Sequence, residues 1–352
     1  MARNSSKVLL AMSGGVDSTV AALLLQKKGF VVIGVTFILS PYDGPESAII
    51  ARAGDVCDKL NIPHKIVDLR RAFHDLVISN FLSEYACGRT PFPCAVCNPG
   101  IKFKFLYELA RDLQIEYIAT GHYVRIVNDK GDLFIAMGRD KEKDQSFFLW
   151  GLKPGILQRT LFPLGGLTKT KVINIALENG LERIEKQKES HGICFIKGKN
   201  YREFLWQYGF ADQPGNFLDK EGQEIGTHKG YFHFTIGQRR GLGLKTQKPL
   251  FVRSLVPDKN EVILGDFADL YKSEIIVKDG DFERLTKFSL NHIYTVRIRY
   301  RLQETPCRVY LYGNEQARIE LLEPLAMVAP GQTAVIYEKG RVMGGGFIAS
   351  SF

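Results

Sequence analysis

Residues 7–29 read KVLLAMSGGVDSTVAALLLQKKG, and this stretch decides the fold of the first half of the chain. KVLLAM (7–12) is a short apolar run and predicts a buried strand. TVAALLLQKK (19–28) has helix composition, with Gly29 placed to cap its C-terminus. Between them SGGVDS (13–18) makes a Gly-Gly turn that opens the helix. Such a turn lets backbone amides approach an anion, and the helix N-terminus adds partial positive charge. Ser13 and Ser18 supply hydroxyls, and Asp17 supplies a carboxylate that can hold Mg²⁺ or brace the loop. The lysine of GxxxxGK[ST] is absent, and so is GxGxxG, which excludes the two commonest phosphate loops.

Working outward, strand and helix patterns alternate. FVVIGVTFIL (30–39) reads as a strand, ESAIIARAGDVCDKLN (46–61) as a helix and HKIVDL (64–69) as a strand. Two helices follow, RAFHDLVISNFLSEYAC (71–87) and IKFKFLYELARDLQ (101–114). IEYIATGHY (115–123) is a fourth strand with its exit loop, and LTKTKVINIALENGL (167–181) is a helix opened by Thr168. This alternation predicts an α/β, doubly wound parallel sheet over about the first 165 residues. Near residue 198 the pattern changes to glycines, aromatics and period-two runs. GYFHFTIGQRRGLGL (230–244), LFVRSLVP, EVILGD, YTVRIRYR (294–301), CRVYLYG, ARIELL, TAVIYE and RVMGGGFI predict an antiparallel β region of two small modules or barrels.

At 352 residues the chain exceeds one hydrophobic core, and a net charge of +9 points to a polyanionic partner, nucleic acid first. The competing reading is a generally basic surface. Hydrophobic residues at 45% and charged residues at 24% are ordinary for a globular protein. No apolar run approaches a membrane span, and the first residues are too short for a secretory signal, so the expected location is the cytoplasm.

Six cysteines in a reducing compartment do not form a disulfide scaffold. Cys57, Cys87 and Cys307 lie in patterned segments and read as small apolar or inert residues. Cys94, Cys97 and Cys194 lie in Gly/Pro-marked stretches, TPFPCAVCNPG (90–100) and SHGICFIKG (190–198), which predict exposed turns. Zinc at Cys94, Cys97, Cys194 and His191 has the right ligand types. A thioredoxin-like CxxC would need no ATP loop. Sulfur transfer uses both features: one cysteine carries a persulfide, attacks an adenylated carbon, and a second cysteine closes a disulfide that frees the sulfur.

SGGVDS resembles the PP-loop of ATP pyrophosphatases, which adenylate a substrate and release pyrophosphate. Across nearly the whole chain, AMSGGVDS, RTPFPCAVCN with IKF, ATGHY, KDQSFFL, GICFI, FTIGQRRGLG, RIRYR and PGQ are similar, in order, to the landmarks of the bacterial tRNA-specific 2-thiouridylases. The resemblance implies a PP-loop catalytic domain (1–197), a central β-rich domain (198–272) and a C-terminal β-barrel (273–352) that contacts tRNA. It implies ATP binding, together with Mg²⁺, by Ala11, Met12, Ser13, Gly14, Gly15, Val16, Asp17, Ser18, Phe37 and Gly121. It implies Cys97 as the persulfide-bearing nucleophile and Cys194 as its disulfide partner. Phe92, Pro93 and Cys94 match the segment that meets the target base. His122, Lys143, Asp144, Gln145, Arg299, Tyr300 and Gln332 match tRNA contacts. A persulfide-donating relay protein or cysteine desulfurase would supply sulfur, and the working state would be a monomer on the anticodon arm.

The family usually has an aspartate where this chain has Cys94. A cysteine there can act as a base near neutral pH. Alternatively, Cys94, Cys97 and Cys194 together would suit a [4Fe-4S] cluster with one open iron. Period-two alternation in VRIRYR places Arg297, Arg299 and Arg301 on one strand face, suited to a phosphate backbone.

Overall fold

The computed structural model describes residues 6–40, 47–181, 192–196, 200–287 and 292–352. The chain divides into two compact units. The first comprises Met1–Val77, Cys94–Phe195 and Lys339–Val342; the second comprises Ile78–Pro93, Ile196–Glu338 and Met343–Phe352.

In the first unit, the described strands β1 (Lys7–Ala11), β2 (Val31–Ile38), β3 (His64–Asp68), β4 (Tyr117–Ala119) and the short β7 (Thr160–Leu161) form a parallel sheet. Its order is β3-β2-β1-β4 with Thr160–Leu161 at the far edge. Val8, Leu9 and Leu10 are wholly buried, which is why β1 reads as a continuous apolar run. The helix Val16–Lys27 packs its Val20, Ala21, Ala22 and Leu25 into the same core. Gly29 takes a left-handed φ of +85° just past that helix, as the C-cap expectation requires.

The chain leaves β1 toward β2 and β3, then returns to place β4 on the other side of β1. This reversal opens a crevice beyond the carboxyl ends of β1 and β4, where open α/β sheets bind ligands. SGGVDS leaves β1 there, and Thr120-Gly121-His122 leaves β4 there. The unit also carries a hairpin, β5 (Val124–Asp129) and β6 (Asp132–Met137). Its two-residue turn, Lys130-Gly131, has both φ angles positive, and NDKGD was its unread signal.

The second unit begins with the helix Ser79–Ala86. Its central sheet contains β8 (Gly215–Leu218), β9 (Glu224–His228), β10 (Phe251–Val256) and β11 (Glu261–Gly265), around Phe217, Phe234, Val252, Val262 and Leu264. Two features differ from the expected antiparallel pattern. The pairing of β11 with β8 is parallel. GYFHFTIGQRRGLGL is a 3₁₀ turn and loop instead of a strand, because Gly237, Gly241 and Gly243 all adopt positive φ. Residues 271–351 form a closed six-stranded barrel: β12 (Tyr271–Asp281), β13 (Tyr294–Arg297), β14 (Thr305–Tyr312), β15 (Gln316–Ala326), β16 (Thr333–Glu338) and β17 (Arg341–Ser351). Pairing of β12 with both β15 and β17 closes it, which removes exposed edges.

Candidate active site

The loop after β1 is held in an open, anion-ready form. Met12 N–H donates to Val35 O at 2.8 Å, and Thr36 Oγ1 donates to Met12 O at 2.9 Å, which pins the strand exit. Gly14 has φ +71°, and a Cβ there would lie 2.7 Å from Ala53 N, so only glycine fits. Ser18 Oγ donates to Gly15 O at 3.0 Å and lies 3.2 Å from Ser13 Oγ. Gly15 caps the helix Val16–Lys27 with no side-chain acceptor, leaving the first-turn amides for a ligand. Residues 11–18 therefore fit a phosphate chain. Phe37 lies near the carboxyl end of β2, half-buried.

Three consecutive residues after β4 tie this loop to a second cluster. Gly121 backs onto the loop: a Cβ there would lie 3.1 Å from Asp17 C and from Ser18 N. Tyr123 donates its hydroxyl to Asp17 Oδ1 at 2.6 Å. Between them, His122 sits with Nδ1 2.7 Å from Thr120 Oγ1 and its ring 5.7 Å from that of Phe103. Burial, with the Lys102 charge adding to it, pushes His122 down to about 3, so its imidazole is neutral.

The second cluster is built on the cysteines, and here the structure corrects the expected exposed turn. Pro93–Cys97 is α-helical, Asn98–Phe103 is π-helical and Lys104–Asp112 is α-helical again, so TPFPCAVCNPG leads into one interrupted helix. Pro93 starts it, a position that suits proline. Pro99 lacks an N–H and crowds the preceding turn, so the ladder widens there. Gly100 allows close packing, since a Cβ would lie 2.5 Å from Leu76 Cδ2. Cys97 is 5% exposed, and burial, opposed by Lys102, pushes its thiol up to about 12. Burial also raises Cys94, which makes it a neutral thiol at rest instead of a base. Cys194 is exposed, beside a buried Phe195 whose ring meets Phe73 edge-on at 5.6 Å. The three thiols are near enough to act electrostatically on one another and on Lys102. Asn98, next to Cys97, donates Nδ2–H to Phe148 O at 3.2 Å, while its buried Oδ1 accepts no bond among the described residues.

Sequence reasoning missed Lys102, Tyr123 and Lys169. Lys169, first residue of the helix Lys169–Glu178, places Nζ 2.8 and 2.9 Å from the Asp17 carboxylate oxygens. Thr168 caps that helix as expected, accepting from Lys171 N–H at 3.3 Å.

A family profile described as the tRNA methyl transferase HUP domain matches residues 6–198. Profiles for its PRC-barrel domain and for an aminomethyltransferase beta-barrel domain match residues 202–266 and 272–348. The tRNA-specific 2-thiouridylase MnmA 2 of Phocaeicola vulgatus is 42% identical over 98% of this chain and 98% of its own length. MnmA 1 of Bacteroides fragilis is 40% identical over 100% of this chain and 99% of its own. The chain belongs to the tRNA-specific 2-thiouridylase family.

As a 2-thiouridylase-family chain, it places several candidate RNA contacts unexpectedly. Asp144 is buried and accepts from Gly138 N–H, Ser146 N–H and Ser146 Oγ–H at 3.0, 3.2 and 2.9 Å, so it knots its own loop. Gln145 Oε1 accepts from Tyr123 N–H at 2.9 Å and so steadies His122's neighbour. Lys143 is half-buried. Strand β13 ends at Arg297, so Arg297, Arg299 and Arg301 do not share a strand face. Arg297 pairs with Glu304 at 3.1 Å, Arg299 donates to Met327 O at 3.0 Å, and Arg301 is exposed, stacked over Tyr300. Pro93 is buried and Phe92 half-buried. Gln332 Nε2 donates to Thr90 O and Pro91 O at 3.1 and 3.2 Å, directly before those residues.

Among the described residues, no group of three or more His, Cys, Asp or Glu side chains is placed to hold a metal ion. Cys94, Cys97 and Cys194 are thus not arranged as cluster ligands, and His191 lies outside the described residues. Among the described residues no helix is long and apolar enough to cross a membrane.

Proposed function

We propose that this chain is an ATP-dependent sulfurtransferase that replaces the C2 oxygen of the tRNA wobble uridine with sulfur. One observation carries the reading: Gly121, His122 and Tyr123 join the phosphate loop to the three-thiol cluster within one unit. A nucleotide loop and a nucleophile held by neighbouring residues suit one reaction, activation of an oxygen and its displacement.

In this reading residues 11–18 bind the ATP phosphates, with Phe37 and Gly121 on the adenosine side. The uridine C2 oxygen attacks the α-phosphorus and pyrophosphate leaves. Mg²⁺ would arrive on the ATP phosphates, since the Lys169 ammonium holds both oxygens of the Asp17 carboxylate. A persulfide on Cys97 attacks C2 through its terminal sulfur, and AMP leaves with the C2–O bond. The Cys194 thiolate then attacks Cys97 Sγ, releasing the thiolated base and forming a Cys97–Cys194 disulfide. An external dithiol reductant restores both thiols. A persulfide is more acidic than its parent thiol, so a buried Cys97 that rests neutral becomes a nucleophile only once loaded.

Cys94 replaces the aspartate near the uridine and passes its proton as a thiol. His122 and Lys143 in the first unit, and Phe92, Pro93, Arg299 and Tyr300 in the second, are the candidate RNA contacts, and single-stranded bases are splayed for chemistry. A persulfide-donating relay protein or cysteine desulfurase charges Cys97, and the chain acts as a monomer in the cytoplasm. The domain division is 1–197, 198–272 and 273–352.

The test is thiolation of unmodified tRNA with ATP and a persulfide donor, read by mobility on a mercury-containing gel. Wild type is expected to shift tRNA, Cys97→Ser and Cys194→Ser to leave it unshifted, and Cys94→Ala to retain part of the activity. Wild type that consumes ATP without shifting tRNA would overturn the reading.

A further inference from the structure

Lys102 is five residues after Cys97, and the backbone geometry decides whether the two can meet. In an α-helix, residue i+5 points about 140° away from residue i. In a turn bonded i→i+5, residue i+5 comes back nearly over residue i. The π-helical segment Asn98–Phe103 is such a turn, and it carries Lys102 onto the Cys97 side of the helix. Pro99 and Gly100 are the residues that permit the widening.

The surroundings of Lys102 lack the usual counter-ion. It lies between Ile101 and Phe103, which are 1% and 0% exposed. Among the described residues no carboxylate forms an ion pair with it, whereas Lys169 on the far side of Gly121 has Asp17. The titratable groups that reach it are the Cys94 and Cys97 thiols from its own helix, the Cys194 thiol from the 192–196 turn, and the His122 ring from the β4 exit. Burial pulls the Lys102 ammonium down, and the sulfurs, as they ionise, push it up past its ordinary value. His122 remains neutral beside it and offers no competing charge. With the Cys94 and Cys97 thiols neutral at rest, the half-buried ammonium has no anion beside it among the described residues. It becomes favourable when an anion forms in the same place.

We infer that Lys102 is a positioning residue for the sulfur carried by Cys97: the π-turn brings its ammonium onto the Cys97 face as the counter-charge that holds that sulfur as an anion. This deepens the sulfurtransferase reading and rests on it for the identity of the sulfur species. The Lys102 assignment itself concerns the reactivity of Cys97, which needs neither ATP nor tRNA to be measured.

The test uses the full chain as wild type, Lys102→Met and Lys102→Arg. Modification of Cys97 by methyl methanethiosulfonate is followed by peptide mass spectrometry from pH 7 to 10.5, beside thermal unfolding. Lys102→Met is expected to slow Cys97 about tenfold or more at pH 8.5 and to move its pH profile upward. Lys102→Arg is expected to stay within about threefold of wild type. If Cys97 resists the reagent in every form, loading with sodium polysulfide replaces it, and Lys102→Met is expected to hold under about a tenth of the wild-type persulfide. Cys97 reactivity and persulfide loading within about twofold of wild type in Lys102→Met overturn the assignment. So does a Lys102→Met chain that fails to fold while Lys102→Arg folds but reacts no faster than about a tenth of wild type. A Lys102-dependent Cys97 in a chain that leaves tRNA unthiolated overturns the sulfurtransferase reading and leaves Lys102 in place.

Discussion

The ammonium of Lys169 lies 2.8 Å from Asp17 Oδ1, and the Tyr123 hydroxyl donates to the same oxygen at 2.6 Å. The acidic residue of the phosphate loop is therefore already engaged by a side chain 152 positions away in sequence. A charged hydrogen bond of this kind is worth about 1.5–3 kcal/mol, or roughly a ten- to hundredfold effect. Removing the lysine leaves the carboxylate charge unpaired in the loop proposed to bind phosphates. Lys169→Met is expected to raise the KM for ATP by about tenfold or more in an assay of AMP release, with a smaller loss in tRNA affinity.

Gln332 was expected at the RNA, yet its amide donates to the carbonyls of Thr90 and Pro91. Thr90 N–H in turn donates to Pro330 O at 2.8 Å, and Arg89 forms a two-pronged pair with Glu84 at 2.6 and 2.7 Å. The PGQ loop therefore fixes the segment that leads into the Cys94–Cys97 helix. Gln332→Ala is expected to lower the thiolation rate about tenfold while the tRNA dissociation constant and its salt slope change by less than about twofold. A loss confined to affinity, with a shallower salt slope, would return Gln332 to the RNA contacts.

His122 gives a pH signature. Its folded value, about 3, lies below the ordinary 6.5 because burial and then Lys102 disfavour the imidazolium. A depressed group contributes stability that is present above its unfolded value and lost as pH falls toward its folded value. Wild type is thus expected to lose stability between about pH 6.5 and pH 3 with one more proton taken up on unfolding than His122→Gln. Urea unfolding at a series of pH values measures the difference in slope. A ring that titrates near 6.5 by NMR would contradict the assignment.

The parallel sheet was legible because buried strands leave uninterrupted apolar runs, and KVLLA and VVIGVTFI are such runs. The phosphate loop was legible because glycines and hydroxyls are local in sequence. The sulfur cluster was only half legible. Pro99-Gly100 signals a break in any helix, and a sequence does not distinguish a break that ends the helix from one that widens a single turn. Lys102 sits in IKFK, a pattern indistinguishable from a solvated helix face until the π-turn is known. Arg299 illustrates the converse error. Alternation in RIRYR is real, but the strand stops at Arg297, and burial holds the Arg299 guanidinium below its ordinary value as it bonds a carbonyl. Long-range pairs such as Asp17 with Lys169 carry no local signal at all.

The contact between Gly121 and the phosphate loop predicts a sharp steric penalty. A Cβ at residue 121 would meet Asp17 C, Ser18 N and Asp17 O at 3.1, 3.1 and 3.2 Å. All three are backbone atoms of the first turn of the helix Val16–Lys27, and backbone gives way less easily than a flexible side chain. A small shift there moves the amides that would face the phosphates, while the core of the sheet is untouched. Overpacking of this kind costs about 1–3 kcal/mol. Gly121→Ala is expected to lower stability within that range in denaturant titration, and to depress ATP turnover about a hundredfold, beyond what the lost stability explains. Gly166→Ala is the control, because residue 166 is exposed and a Cβ there has no atom within 4 Å. It is expected to be neutral in both assays. Equal behaviour of the two alanines would mean that the loop tolerates displacement, and that residues 120–123 do not set its shape.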